Sequence, residues 1–344
     1  MQVVHIPVHG PPSVLALVDL PRPEPGPGEV LVRIAAVSIN HLDLFVRAGM
    51  PGVKLPLPLI PGCDGTGEIA ALGPGVSGPK VGQKVIVEPG WSSGTSAHDR
   101  AGNDHLSDDY KIRGEHFDGL DREYAVVEAR HVFPLPAGVD PVRAAAVPLV
   151  FLTAWGMLVE RAKVQAGETV LVLGGSGGVG SAAIQIARDR GARVLATAGS
   201  EAKMHLCREL GAEQVFDHSK PDWGAGVKES TGRRGVDVVV EHVGPATWET
   251  SQRLLARGGR IVTCGGTTGG TVQVSLPHLF MKNQSILGST MGPRAALQAI
   301  FERVQRGVFR PVVDRVMPMS KVAEAHALLE GRRVLGKIVL EPGS

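Results

Sequence analysis

For its first 130 residues the chain alternates short apolar runs with Gly- and Pro-rich breaks: EVLVRIAAVSI, GTGEIAALG, GQKVIVEP and REYAVVEARHVFPLP. β-Branched runs of this length between turn residues predict short strands in a barrel-like β domain. At Pro141 the pattern changes. PVRAAAVPLVFLTAWGMLVERAKV has helical length and Ala/Leu content, with Pro141 suited to a first helical turn and Pro148 expected to kink or interrupt it. Beyond it, the strand-like runs ETVLVLGG, ARVLATAG, AEQVFD, VDVVVEHVG, RIVTCGG and QSILGSTMG alternate with the helical segments VGSAAIQIARDRG, EAKMHLCRELG and ATWETSQRLLARGG. Strands joined by crossover helices of this length predict a parallel sheet with helices on both faces, an α/β fold. The end of the chain adds the helices RAALQAIFERVQRG and SKVAEAHALLEGR and a last apolar run, GKIVLEP.

One stretch breaks the first pattern. WSSGTSAHDRAGNDHLS, Trp91 to Ser107, is polar and has no core of its own, so it is expected to be functional, clipped or disordered. Its histidines and their neighbour, His98, His105 and His116, read as solvated side chains.

Composition narrows the classes. With 344 residues, 43% of them hydrophobic, the chain can bury two ordinary cores. The 36 basic and 34 acidic side chains are interspersed, so no basic stripe points to nucleic acid. No apolar run reaches the roughly 20 residues a membrane span needs, and the opening residues carry no charged-then-apolar signal, which predicts a soluble, cytoplasmic protein. Cys63, Cys207 and Cys264 are too far apart for a disulfide framework or a CxxC metal knuckle.

The chemistry-bearing motif lies in TVLVLGGSGGVGSAAIQIARDRG. A strand, Thr169 to Leu173, runs into Gly175-x-Gly177-x-x-Gly180 and a helix opens at once. Glycines there permit the tight turn and the close approach of a pyrophosphate, which the helix N-terminus attracts, so Gly175, Ser176, Gly177, Gly178, Val179 and Gly180 are expected to cradle a dinucleotide. The next strand ends in Ala198, Gly199 and Ser200, with no acid to take the ribose hydroxyls of NAD. Ser200 can hydrogen-bond a 2′-phosphate and Lys203 can supply charge, so NADP(H) is favoured over NAD(H). In the alternative reading, Ser200 only caps the following helix and Lys203 is solvated. Ligands of such sheets lie beyond the carboxyl ends of the strands, which nominates Glu241, His242 and Val243, the stretch Cys264 to Thr267 with Gly265, and Ser289, Thr290 and Met291. Thr153 and His218 join the cofactor-binding candidates, whereas Cys264 reads as a small buried hydrophobe.

Taken together, PGPGEVLVRIAAVSIN, LIPGCDGTGEIAALGPGV, VGQKVIV, LTAW, GETVLVLGGSGGVGSAAIQIAR, GVDVVVEHVG, GGRIVTCGG and LGKIVL resemble the medium-chain dehydrogenase/reductase superfamily of zinc alcohol dehydrogenases and quinone oxidoreductases. The resemblance implies a GroES-like β-rich catalytic domain at 1–149 completed by 291–344, a Rossmann doubly wound domain at 150–290, and hydride transfer in the cleft between them. It also implies a homodimer or homotetramer, paired through an edge strand at TVQVSL, 271–276.

The family's zinc ligands fall on Asn40, Cys63 and a position near Leu149, and its proton-relaying hydroxyl on Leu42. Amide and leucine cannot hold zinc, so catalytic zinc is not expected, with a rearranged site of His41, Cys63 and Asp64 as the remaining route to a metal. An asparagine at position 40 is similar to the zinc-independent quinone oxidoreductases. That implies metal-free hydride transfer to a small-molecule carbonyl, quinone or enone, or from the corresponding alcohol, with Asn40 donating through its amide and His41 and Asp43 as nearby titratable groups. An alcohol dehydrogenase with an atypical metal site and a non-catalytic NAD(P)-binding protein are the alternatives. In the polar lobe, Ser93, Ser96, Asp99 and Ser107 stand at the spacing of the family's four structural-zinc cysteines. The lobe is therefore expected to be an empty metal lobe, kept in place by turns, Ser/Asp hydrogen bonds to backbone and the packing of Trp91.

Overall fold

The computed structural model describes residues 1–50 and 52–343. The chain forms two compact units, one of Met1–Leu149, Leu297–Gln305 and Pro311–Ser344, the other of Val150–Ala296 and Arg306–Arg310.

The first unit is built on a seven-stranded mixed sheet around the long strand Glu29–Ser38. That strand pairs antiparallel with Asp64–Leu72, with Tyr124–Glu128 and with Lys337–Glu341. Its apolar residues, among them Val30, Val32, Ile34 and Val37, join Ile69, Val85, Val127, Ile338 and Leu340 in one core. The registers matter for function. Ser38 lies opposite Asp64 on one side and Val339 on the other, and Ile39 N–H donates to Ile338 O at 3.1 Å, so the ends of three strands meet just before Asn40.

Pro148 interrupts the long helical segment as expected. Helix Pro141–Ala145 stops, a second helix runs from Pro148 to Trp155, and Gly156–Arg161 continues as a wider π turn. A proline accepts a first helical turn but cannot donate in mid-helix, so the chain restarts there. Val313–Pro318, which the hydrophobic pattern leaves as a linking stretch, forms a strand parallel to Lys337–Glu341.

The second unit is a six-stranded, all-parallel sheet in the order Gln214–Asp217, Arg193–Ala198, Thr169–Val172, Val236–Glu241, Leu255–Thr263, Ser285–Gly288. The strand order reverses on either side of Thr169–Val172, the switch point at which such sheets bind ligands. All four residues of that strand are buried, as parallel strands covered on both faces require. The segment TVQVSL differs from expectation. Residues 271–275 form no strand, and Leu276 opens the short helix Leu276–Met281. A strand exists only as part of a ladder, and within this chain the sheet ends at Ser285–Gly288.

Candidate active site

Where the three strand ends converge, the first unit buries a polar cluster. Asp64 is fully buried, and its carboxylate accepts four hydrogen bonds. Leu149 N–H reaches Oδ1 at 2.7 Å, while Asn40 Nδ2, Ser38 Oγ and Lys337 Nζ reach Oδ2 at 2.9, 3.2 and 3.3 Å. The first bond follows from the break at Pro148, because the opening turn of a helix has N–H groups without helical partners. Leu149, at the place of the family's third metal ligand, thus contributes its backbone. Lys337, only 4% exposed, also donates to Asn40 Oδ1.

Lys337 is not among the residues that motif and spacing single out. Its signal was present, a single charge inside the apolar run GKIVLEP, but only the strand register brings it to Asn40 and Asp64. The amide of Asn40 is engaged on both ends: Oδ1 by Lys337, and Nδ2 by Asp64, by Ser38 O at 3.3 Å and by Cys63 Sγ at 3.3 Å.

Asp43 ties this cluster together, accepting from Asn40 N–H at 2.7 Å and from Gly62 N–H at 3.2 Å. Burial raises its carboxyl to about 6 despite those bonds. Gly62 is indispensable at that spot. Its φ is +92°, and a Cβ would stand 2.1 Å from Asp121 Oδ1. Cys63 is fully buried, and burial, followed by the charges of Asp64 and Asp43, pushes its thiol well up. His41 lies apart, exposed at the start of helix His41–Ala48 with its ring 6.5 Å from that of Phe45. Among the described residues, no three His, Cys, Asp or Glu side chains gather as a metal-holding group.

In the second unit the glycine turn has the geometry its motif requires. A Cβ on Gly180 would lie 2.2 Å from Gly174 O, and one on Gly175 would lie 2.8 Å from Cys207 Sγ and 2.9 Å from Ile184 Cδ1. Gly177 is different, because a Cβ there would meet only Gly174 O, at 3.4 Å. It caps helix Gly178–Asp189, and the first-turn N–H groups of Gly178, Val179 and Gly180 have no partner within the helix. Ser176 is buried in the turn.

Behind the turn, Thr197 Oγ1 accepts from Gly174 N–H at 3.2 Å and bonds His218 Nδ1 at 2.9 Å. His242 packs beside Gly174, with a buried Nε2 that lacks a hydrogen-bond partner and a pKa that burial depresses. The register pairs Glu241 with Thr263 and Thr263 with Gly288, so Val243, Gly265 and Ser289 follow the aligned carboxyl ends of three neighbouring strands. Gly265 and Thr290 are exposed there, and Ser289 N–H donates to Thr263 O at 2.9 Å. Thr153 is buried, with Oγ1 3.7 Å from Met291 Sδ.

Three nominated residues have internal roles. Glu241 is fully buried and accepts from Val243 N–H, Gly244 N–H, Thr247 Oγ1 and Ser251 Oγ, so it anchors the following helix. Ser200 caps helix Glu201–Leu210, accepting from Lys203 N–H at 3.5 Å. Cys264 is half-buried, and burial raises its thiol to about 12.

The polar lobe is organised by carboxylates. Asp99 accepts from Ser92 Oγ at 2.6 Å, Ser96 N–H at 2.9 Å and Ser107 Oγ at 3.4 Å, and its own N–H bonds Ser96 Oγ at 3.0 Å. Partial burial works against ionisation, yet the bonds from Ser92, Ser96 and Ser107 hold Asp99 at about 2. Asp109 does the same for Ser93 N–H and Ser107 Oγ, at 3.1 and 2.6 Å. Ser92 and Asp109 lie outside the four-residue spacing and join it only through these bonds. Trp91 Nε1 donates to Glu128 at 2.7 Å. His105, expected to be solvated, is buried, because the turn Asp104–Leu106 folds it inward.

A parallel six-stranded sheet with a glycine cradle at its switch point, joined in one chain to a GroES-like β unit, defines a dinucleotide-dependent oxidoreductase. Comparison with known proteins agrees: residues 26–137 match the alcohol dehydrogenase GroES-like domain and 178–306 the zinc-binding dehydrogenase family. The human quinone oxidoreductase is 32% identical over 351 residues, covering 99% of this chain and 97% of that protein. A crystal structure of an NAD-dependent alcohol dehydrogenase superposes with a TM-score of 0.96 at 45% identity, covering 100% of both chains. The cobalt- and zinc-bound thermostable alcohol dehydrogenase of Pyrobaculum aerophilum superposes with 0.90 at 32% identity, covering 99% of each. The chain belongs to the medium-chain dehydrogenase/reductase superfamily and is an NAD(P)-dependent oxidoreductase of the quinone oxidoreductase or alcohol dehydrogenase kind.

Proposed function

We propose that this enzyme transfers a hydride between NADP(H) and a small-molecule carbonyl, quinone or enone, or the corresponding alcohol, without catalytic zinc. One observation carries the metal-free reading: the Lys337 ammonium is hydrogen-bonded to both Asn40 and Asp64. A fixed cation there repels a second one. The donor set also fits zinc poorly, since Asn40 offers an amide, position 149 a backbone N–H, and Cys63 a thiol that burial keeps protonated.

The dinucleotide, by contrast, fits. The glycine cradle leaves no room for a Cβ at Gly175 or Gly180, and the unpartnered His242 Nε2 lies beside it. When bound, the nicotinamide supplies or accepts the hydride. The first-turn N–H groups of Gly178, Val179 and Gly180 would take the pyrophosphate, Ser200 and Lys203 a 2′-phosphate, and Thr153, His218, His242, Val243, Gly265, Ser289 and Thr290 would line the remainder. Lys337 fixes the orientation of the Asn40 amide, and exposed His41 is the group suited to pass a proton to or from solvent.

A second reading has support of its own. The 45% identical structure is that of an NAD-dependent alcohol dehydrogenase, which favours alcohol oxidation with NAD. Metal analysis with parallel NADPH and NADH assays on one quinone and one aldehyde separates the readings. The expected result is metal below about a tenth of an equivalent per chain, with reduction faster with NADPH and a preference that falls about tenfold in Lys203→Ala. Stoichiometric metal, with activity lost on chelation, would establish the metal-dependent alternative. Cofactor binding without turnover of any substrate would leave a non-catalytic protein.

We further infer a cytoplasmic homodimer or homotetramer. Leu276, Phe280 and Met281 are each more than 60% exposed close in sequence to the sheet's edge strand Ser285–Gly288, which supports pairing through that edge. Light scattering that gives a monomer at micromolar concentration would contradict it. Among the described residues no helix is long and apolar enough to cross a membrane.

A further inference from the structure

The first unit has a cavity of about 470 Å³ that neither its core nor the candidate active site explains. Two guanidinium groups line it. Arg113 is only 4% exposed and Arg122 is half-buried, and the Nε of each is buried without a hydrogen-bond partner. Like charges this close oppose one another: burial first, and then the charge of Arg122, lowers Arg113 to about 10.

The carboxylates on the walls are largely committed elsewhere. Glu29 accepts from Gly26 N–H at 2.8 Å, and Glu128 from Trp91 Nε1 at 2.7 Å and Arg130 Nε at 2.8 Å. Asp118 accepts from Ile60 N–H at 3.1 Å and is the one acid whose charge supports Arg122. Arg113 is supported by the charges of Glu88 and Glu128 and is stacked on an aromatic face, with Cζ 5.0 Å from the Phe117 ring centroid. Lys111 adds a third cation at the rim, its Nζ 5.4 Å above the Trp91 ring. Buried guanidinium groups are ordinarily matched by carboxylates or other acceptors, and these two lack acceptors at Nε.

We propose that this cavity is a binding site for a phosphate group. The guanidinium forks match tetrahedral oxyanions, and Lys111 contributes a mobile point charge. The Lys111 side chain covers the Trp91 face, so the site suits a compact dianion rather than a stacked aromatic ring. The residues belong to the first unit, whereas the glycine cradle belongs to the second, so this site is not part of the dinucleotide-binding motif. It also bears on the candidate active site through the backbone. The segment after Arg113 hydrogen-bonds Ile60–Gly62 at three points, Gly119 N–H to Ile60 O, Leu120 N–H to Gly62 O and Asp121 N–H to Pro61 O, immediately before Cys63.

The test is calorimetric titration of the full-length protein with inorganic phosphate and, separately, with glycerol 2-phosphate, at ionic strength held constant with sodium chloride. Wild type should show one saturable site per chain, and Arg113→Gln and Arg122→Gln should each weaken it about tenfold or more. The double variant Ser200→Ala/Lys203→Ala, altered at the dinucleotide's phosphate candidates, should bind phosphate as wild type does. Binding of glycerol 2-phosphate as well assigns the site to a phosphomonoester, and binding of inorganic phosphate alone assigns it to the free ion. Absence of saturable binding at about 10 mM phosphate, or loss of binding in the Ser200/Lys203 variant instead, overturns the proposal. Should Arg113→Gln fail to fold, the half-buried Arg122→Gln and the exposed Lys111→Gln carry the same comparison.

Discussion

Lys337 Nζ lies 3.3 Å from Asp64 Oδ2, with the two side chains 4% and 0% exposed. An ion pair buried to this degree owes its existence to its surroundings, since desolvation of both charges must be offset by their attraction and by further hydrogen bonds. Here those bonds come from Leu149, Ser38 and Asn40. The pair therefore holds four segments of the chain, not two residues.

Removing one partner should be costly. Lys337→Met leaves the Asp64 carboxylate buried without its cation and is expected to destabilise the protein by about 3–5 kcal/mol, measured by urea unfolding. The double variant Lys337→Met/Asp64→Asn should be more stable than the sum of the two single losses. Strict additivity would mean that the two groups do not interact.

The glycine turn should separate folding from binding. Gly180→Ala places a Cβ against backbone 2.2 Å away and should lower thermal stability, whereas Gly177→Ala meets only one atom at 3.4 Å and should fold normally. Fluorescence titration should then show NADPH binding weakened in folded Gly177→Ala, by about tenfold, because the added methyl group obstructs the pyrophosphate. Equal melting temperatures for the two variants would contradict this order.

The lobe should depend on one carboxylate. Asp99→Ala deprives Ser92, Ser96 and Ser107 of their shared acceptor and should speed tryptic cleavage after Arg100, with activity largely retained. Unchanged cleavage would show that turns and Trp91 packing suffice.

A buried histidine should make the first unit sensitive to acid. His326 is fully buried beside Arg47, its Nδ1 3.3 Å from Nη1, and Arg47 is paired with Glu330. Burial, and then the Arg47 charge, lowers His326 to about 3. The unfolded chain binds this proton from about pH 6.5 downward and the folded chain only near pH 3. Stability contributed at neutral pH is therefore lost as pH falls through that window, by up to about 1.4 kcal/mol per pH unit. His326→Gln should flatten the pH dependence of unfolding between pH 6.5 and 3.

Local pattern and spacing were sufficient for some of this protein. The strand, turn and helix around Gly175 to Gly180, the break at Pro148 and the alternation that makes the parallel sheet are all legible in the sequence, because each is dictated by neighbours a few residues away. The lobe was legible in part. Its spacing singles out Asp99 and Ser107, but Asp109 and Ser92 enter only when the turns bring them to those two residues.

The family resemblance already grouped Asn40, Asp64 and position 149, but tertiary structure alone brought Lys337 to them. Asn40, Asp64, Leu149 and Lys337 come from four distant parts of the chain, and nothing local in GKIVLEP says which carboxylate its lysine will meet. Strand register decides it: the pairing of Ser38 with Asp64 and with Val339 sets all of these groups at one end of the sheet. A shift of one residue would turn each side chain to the opposite face, which is why long-range pairing, rather than composition or periodicity, put a cation beside Asn40.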